Sequence, residues 1–311
     1  MKRRGSLLLA ALLMLLMLAG CAPAAAMDAP QPAAEEGLTL SENSLARDGE
    51  ARSLVIGAVA YDRDGYSLLT SLSVLVRDGE GVISLLTIPR DPRVWVETYD
   101  REGGFRYNSY GKIGQVYHAA ESAGLAEQKT VEAVSALLGG VHIDHFALLN
   151  TVQLESLAAL TKGVYLTVED AISDFGIQPG YQDIAPSIAG YASYSYLNDI
   201  GGVDYPGTDM SKLERHQQLI MAFMQTLSGQ MSALAKPERD ELARNVAACL
   251  LTDLTQQEIL TWLEGGALAF ETPQILPGTQ TEGQRESFWV PDAAEIKDWV
   301  MRAFYAAEGE N

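Results

Sequence analysis

The chain has 311 residues, of which 47% are hydrophobic and 20% charged, with 22 basic against 41 acidic side chains and a net charge of −19. This is an ordinary globular composition for one large domain or two small ones. So acidic a body is repelled by nucleic acid and by anionic lipid headgroups over a Debye length. A DNA-binding role is thereby disfavoured, and an anionic ligand has to be met by a local basic cluster.

In chain order, Lys2, Arg3 and Arg4 precede an apolar run from Leu7 to Leu18. The run is too short to cross about 30 Å of hydrocarbon comfortably, and the pattern is that of an export signal. It ends in Leu18-Ala19-Gly20-Cys21, which resembles the lipobox of bacterial lipoproteins. The resemblance implies cleavage before Cys21, lipidation of its sulfur, and a body held at the extracytoplasmic face of the cell membrane. Residues 1–20 are then a signal peptide, whose loss removes three basic residues and no acid and takes the net charge from −19 to −22. Residues 21–52, rich in Ala, Pro and Glu, are expected to be a flexible lipid-anchored linker. With Cys21 acylated, Cys249 has no disulfide partner within the chain, and its apolar run Val246–Leu251 marks a buried thiol.

The body opens with three expected strands: Ser53 to Ala60, Leu69 to Arg77 and Val82 to Ile88. Asp78-Gly79-Glu80-Gly81 makes a hairpin turn between the last two. That hairpin is apolar on both faces, which places it mid-sheet with cover on each side. Helical spacing follows over Ile113 to Ala123 and Gln128 to Leu138, the second ended by Gly139-Gly140. His142 to Leu149 is expected as a strand, and Val152 to Leu160 as a helix capped by Asn150. Gly163 stops that helix before a strand over Val164 to Val168. From Glu169 to about Gly207 the chain is expected to be irregular, and so long a connection is usually functional or mobile. Thr208 or Asp209 caps a long helix to about Leu227. A further helix has Pro237 in its first turn and runs through Leu251. Thr255-Gln256-Gln257-Glu258 is a capping box. A strand at Phe288-Trp289-Val290 and a last helix from Pro291 to about Ala306 complete the chain. The alternation predicts an α/β fold, a three-layer α/β/α body on a central mixed β-sheet.

Four local signals carry candidate chemistry. Arg90, in Ile88-Pro89-Arg90-Asp91, sits at a strand end, where a guanidinium fork can meet phosphate or simply pair with Asp91 on the surface. Lys212 and Arg215 are three apart on one helix face near its N-terminus, where cations oppose the dipole unless an anion binds between them. A solvated patch paired to Asp209 and Glu214 is the alternative. In His142-Ile143-Asp144-His145 a strand puts His142 and Asp144 on one face and His145 on the other, a poor arrangement for three metal ligands. Ser109, Ser193 and Ser195 lie in no Gly-x-Ser-x-Gly elbow, which sets serine hydrolysis aside.

In this order the pieces resemble the LytR–CpsA–Psr family of cell-envelope proteins, from about Ser53 to the C-terminus. The strand Ser84–Asp91 ending in Pro-Arg-Asp is the sharpest match. Lys112-Ile113, Val141 to Asn150 with its central Ile-Asp, Gly163-Val164, the Asp209–Gln218 helix, Leu276-Pro277-Gly278 and Val290-Pro291-Asp292 follow. The resemblance implies a family-like α/β domain over residues 53–230 and a C-terminal extension over 231–311 packed on the same domain. It further implies an apolar pocket for a polyprenyl chain, basic residues holding a pyrophosphate at its mouth, and magnesium on nearby aspartates. The implied activity transfers a lipid-linked glycopolymer onto peptidoglycan. Carried over by position, Arg90, Lys112, Lys212 and Arg215 are the pyrophosphate-binding candidates, and Arg90 and Arg215 the catalytic ones. Cys21 is the lipidation site.

The sequence also departs from that pattern. Gly57-Ala58-Val59 stands where the family has Gly-x-Asp, and Leu68-Leu69-Thr70 where it has Ser-Asp-Thr. Both usual magnesium aspartates are therefore missing. Asp62 or Asp64 substitutes only if the intervening loop shifts, so no metal ligand is assigned. The family's Tyr-x-Arg-x-Arg falls on Tyr196-Leu197-Asn198-Asp199-Ile200 without either arginine, and Lys212 replaces an Arg. These departures leave two functional readings open: a glycopolymer transferase, or a non-catalytic relative that binds polyprenyl phosphate lipids or modulates envelope assembly.

Overall fold

Three runs rich in Leu, Val and Ile form the antiparallel meander on which the fold is built: β1 (Arg52–Tyr61), β2 (Ser67–Arg77) and β3 (Val82–Ile88). The turn after β2 is fixed by Asp78, whose Oδ1 accepts from the backbone N–H of Glu80 and Val82, while Gly81 takes φ +87°. This computed structural model describes residues 51–61, 65–194, 209–281 and 287–305. The export signal, Cys21, nearly all of the linker, Asp62, Asp64 and residues 196–200 lie outside the described residues.

A fourth long-range partner, β6 (His145–Leu149), runs parallel to β1, with Leu54 opposite His145 and Ala58 opposite Leu149. The sheet is closed by two-residue strands. β9 (Leu251–Thr252) pairs with β6, while β10 (Ala269–Phe270) and β11 (Gln274–Ile275) both run parallel to β3. The order is β10-β3-β2-β1-β6-β9, seven strands with β11 included.

Because side chains alternate across a strand, the sheet divides the apolar residues into two cores. Leu54, Leu75 and Leu85 face one; Val55, Val74 and Leu86 face the other. The first is covered by α3 (Thr151–Leu160), α5 (Met210–Ala233), α6 (Lys236–Ala248) and α7 (Gln256–Trp262). The second is covered by α1 (Val116–Glu121), α2 (Ala126–Leu137) and α8 (Ala293–Phe304). This is the expected three-layer α/β/α body with a mixed central sheet. Caps hold the helix starts as read from sequence: Asn150 accepts from Gln153 N–H, Asp209 from Lys212 N–H, and Thr255 and Glu258 bond reciprocally. Among the described residues no helix is long and apolar enough to cross a membrane.

Several expectations are corrected. Ile113 to Ala123 is a 3-10 turn (Ile113–Gln115) followed by the short α1, not one helix. The strand expected from His142 starts only at His145, because Asp144 is turned back to accept from the N–H and Oγ of Ser53. Within the stretch expected to be irregular from Glu169, β8 (Gly180–Asp183) pairs back on the expected strand, β7 (Tyr165–Val168), and α4 (Ile188–Ser193) follows. The last helix begins after Asp292, whose carboxylate accepts from the N–H of Ala294 and Glu295, not at Pro291. A second ribbon, β4 (Arg93–Tyr99) with β5 (Phe105–Lys112), occupies a segment to which no element was assigned. The small strands β12 (Gly278–Gln280) and β13 (Trp289–Pro291) pair near the C-terminus.

In mid-sheet Ser73 Oγ and Thr87 Oγ1 lie 3.0 Å apart, both fully buried. Removing one partner leaves a buried hydroxyl unsatisfied, which costs about 1–3 kcal/mol, whereas removing both with matched shapes is nearly neutral. Urea unfolding of Ser73→Ala should show a loss in that range, and Ser73→Ala/Thr87→Val should recover most of it. Simple additivity of the two single variants would refute the pair as the cause.

Candidate functional site

A cavity of about 220 Å³ lies between the sheet and the helices of the first core. Its floor is the β1 and β6 face, where Ala58, Ala60 and Ala147 leave room that larger side chains would fill. Its opposite wall is α5, from Lys212 through Leu219, Phe223 and Met224 to Leu227. The fifteen helical rises from Lys212 to Leu227 span about 22 Å, so the cavity is long and, over most of that length, aliphatic and aromatic. Its polar lining includes Thr70, Ser71, Asn150, Thr151, Ser193 and Lys212.

Those residues cluster because of the sheet's topology. β1, β3 and β6 all point the same way, so Ala60, Ile88 and Leu149 lie at one end of the sheet. Ligands in open α/β sheets sit in the crevice outside such carboxyl ends. Arg90 leaves the end of β3 there, and the N-terminal turn of α5 brings Lys212 to the same place.

The four basic residues expected at this mouth are placed differently from one another. Lys212 lines the cavity directly. Burial first, and then the positive charges of Arg90 and Arg215, hold its ammonium below the usual lysine range, with Asp209 partly opposing. Arg90 is therefore near Lys212, with its side chain half exposed. Lys112 lies one step back: its Nζ is 2.8 Å from Oδ1 of the fully buried Asp91, which Arg90 Nε approaches at 3.8 Å. The two sequence segments are stitched together through the backbone, Gly114 N–H donating to Arg90 O and Ile113 N–H to Pro92 O. Asp91 is thus a positioning residue beneath two cations. Arg215 is only 6% exposed, and its guanidinium donates to Tyr191 O, Tyr194 O and Ser211 Oγ. Its charge reaches the mouth while its donors hold the C-terminal end of α4.

Among the described residues, those at the mouth do not suit the magnesium that the resemblance implies. Val59 and Leu69, which occupy the positions of the family's two aspartates, are direct cross-strand partners and both are buried. A carboxylate pair that could grip a cation is replaced here by an apolar pair. Among the described residues none that lines the cavity is an Asp or Glu, and no cluster of three His, Cys, Asp or Glu side chains is placed to hold a metal. Because His142–Asp144 precede the strand, the alternation expected for them does not apply. His142 Nε2 is 3.6 Å from Asp144 Oδ1, while His145 turns away to Glu258 and Asp253 at 3.1 and 3.5 Å. Ser193 lines the cavity, with its Oγ turned 3.5 Å from Gly190 O, and Ser109 lies on the exposed β5 ribbon. Ser195 lies outside the described residues.

One cavity residue was not anticipated. His216, one turn below Lys212, is 6% exposed and its Nε2 lies 2.8 Å from Ala192 O. A carbonyl can only accept, so Nε2 carries the proton, and Nδ1 has no hydrogen-bond partner among the described residues. Burial above all, then Lys212 and Arg215, lower its pKa to about 4, against the Ala192 bond and Asp209. The signal was present as the stripe Lys212, His216, Leu219, Phe223 at helical spacing. Between the unfolded value of 6.5 and the folded value of about 4, the unfolded chain binds a proton here that the folded chain does not. Stability therefore falls as pH drops through that window, by roughly 3 kcal/mol in all. Urea titrations at stepped pH should show His216→Gln losing less stability than wild type between pH 7 and pH 4. Parallel losses would refute this.

A model of the LytR_cpsA_psr family matches residues 70–297. No similar sequence is found among curated proteins. Among solved structures, Bacillus subtilis TagV is similar with a TM-score of 0.63 at 16% identity, over 83% of this chain and 99% of its own. The gbs0355 protein of Streptococcus agalactiae is similar with a TM-score of 0.63 at 12% identity, over 84% of this chain and 90% of its own. TagT, solved bound to LI-WTA, gives a TM-score of 0.58 at 14% identity, over 82% of this chain and 91% of its own. At these identities the structures speak for the fold, but the family match spans most of the chain. With the Pro-Arg-Asp strand end, the capped basic helix and the apolar cavity between them all in place, the chain belongs to the LytR_cpsA_psr family.

Proposed function

We propose that this protein works at the extracytoplasmic face of the cell membrane, anchored through lipid on Cys21. There it takes a polyprenyl-pyrophosphate-linked glycopolymer by its lipid end and transfers the polymer to peptidoglycan. The observation that carries the reading is the long apolar cavity with Lys212 at its mouth and Arg90 nearby. The cavity's length suits several isoprene units, and the paired like charges suit a diphosphate. A ligand with both parts relieves the repulsion between Lys212 and Arg90 while burying hydrocarbon. The family membership and the TagT complex with LI-WTA support a glycopolymer as cargo.

In this reading Lys212 and Arg90 hold the phosphate oxygens, and Asp91 and Lys112 keep Arg90 in place. A phosphoryl transfer with a loose transition state needs positioning and stabilisation of charge on the equatorial oxygens more than a strong nucleophile. Both requirements fall on the cations at the sheet's carboxyl ends.

A second reading rests on a specific observation: the apolar Val59–Leu69 pair where the family carries carboxylates. It makes the protein a carrier that binds the lipid-linked polymer without turning it over. The readings separate on turnover, since the transferase releases polyprenyl phosphate when given a lipid-linked donor and the carrier does not.

Mass spectrometry of lipids extracted from the purified body is expected to reveal an isoprenoid phosphate in wild type. Ala58→Phe, which fills the cavity floor, should remove it. Lys212→Ala and Arg90→Ala should each lower it about tenfold, as loss of a charge-assisted contact does. A wild-type protein free of isoprenoid phosphate defeats both readings.

A further inference from the structure

The β4–β5 ribbon has two unlike faces. Val94 and Val96 face inward and pack on the second core, Val96 at 5% exposure. On the outer face the directly paired residues are Arg93 with Lys112, Trp95 with Tyr110, and Glu97 with Asn108. Trp95 and Tyr110 are 56% and 46% exposed, with ring centroids 4.0 Å apart and planes tilted by 52°. Arg93 extends this surface, its guanidinium 5.8 Å from the Tyr110 ring and 4.3 Å from that of Phe288. Lys112 sits 5.6 Å from the Phe288 ring while its Nζ holds Asp91. The aromatic face is therefore tied, through Lys112 and the buried Asp91, to Arg90 near the cavity mouth.

We propose that this face is a carbohydrate platform on which the first pyranose rings of the donor's glycan chain lie as they leave the mouth. The inference rests on the transferase or carrier reading above, because either one places a phosphate-linked sugar beside Arg90. A pyranose ring offers slightly positive C–H groups on its face and hydroxyls around its rim. Aromatic faces carry the complementary negative quadrupole. Exposed tilted rings flanked by Arg93, Glu97 and Asn108 provide both halves of that match. The ribbon is ill suited to enter a membrane. Its turn is Asp100-Arg101-Glu102-Gly103-Gly104, braced by Asp100 accepting from the N–H of Glu102 and Gly104 and pairing with Arg106 at 3.0 Å. Placing those charges in hydrocarbon is costly. An adjacent cluster of exposed large rings on a soluble protein otherwise marks a binding surface.

The test is calorimetric titration of two soluble short-chain analogues, farnesyl pyrophosphate and farnesyl-pyrophosphoryl-N-acetylglucosamine, into wild type, Trp95→Ala/Tyr110→Ala and Trp95→Phe. The sugar should tighten binding to wild type. The double variant should lose that gain, about tenfold for two stacking rings, while its affinity for farnesyl pyrophosphate stays unchanged and Trp95→Phe keeps most of the gain. If the sugar adds nothing in wild type, or the double variant weakens both analogues equally, the platform is refuted and the lipid-binding reading stands. If wild type binds neither analogue, the lipid-binding reading and the platform that rests on it both fall. Titration of free N-acetylglucosamine tetraose covers the other source of pyranose rings. Binding as tight as that of the sugar-bearing analogue, and lost in the double variant, would assign the face to the acceptor glycan and overturn the donor assignment.

Discussion

The upper wall of the cavity depends on a single stretch of α5 whose side chains reach backbone carbonyls outside the helix. Arg215 donates to Tyr191 O and Tyr194 O, His216 to Ala192 O, and Gln217 to Gln274 O, while Gln218 accepts from the Tyr191 hydroxyl. Buried carbonyls left unpaired are costly. Four consecutive side chains thus fix α5 against α4 on one side and the sheet edge on the other. Such a seam helps a buried Arg to be tolerated, because carbonyl dipoles meet its guanidinium. With its neighbours committed to structure, Lys212 is the basic residue of this stretch that lines the cavity.

Electrostatics sharpen that role. The protein is strongly negative as a whole, yet Lys212 experiences Arg90 and Arg215 as nearby like charges and is partly desolvated besides. A site that disfavours its own protonation is under a tension that a bound anion removes. The neutral imidazole one turn deeper fits the same gradient. Going down α5 the wall passes from ammonium to uncharged ring to hydrocarbon, which is the polarity profile of a phosphorylated lipid.

Much of this was legible in the sequence because it depends on local chemistry. Asp78 and Gly81 announced their turn, Asn150, Asp209 and Thr255 announced their helices, and the doubly apolar Val82–Ile88 run announced a central strand. Placing Arg90 and Lys212 at one mouth required the parallel pairing of β1 with β6, a long-range contact that periodicity alone does not contain. The role of Arg215 was illegible for a related reason. Charge and spacing identify a cation, but only the fold shows that Tyr191 O and Tyr194 O take up its donors. The β4–β5 ribbon did carry a period of two, Val94, Val96 and Thr98 alternating with Arg93, Trp95 and Glu97. Its exposed aromatics, however, look like core residues to any reading based on hydropathy. The small strands after Gly180 and Ala269 were missed because two to four residues give too short a window for any period.

The two-residue strands at the margins of the sheet have a further effect. A long flat margin offers a row of free N–H and C=O groups onto which another polypeptide can add a strand. Here β9 ends one side after Leu251–Thr252, and β10 and β11 cover β3 on the other as two separate dipeptides. A foreign chain finds too few consecutive pairing groups at either side to build a ladder. Extended peptides and unfolded neighbours are thus denied a foothold, and the sheet can keep an accessible greasy interior without becoming a seed for aggregation.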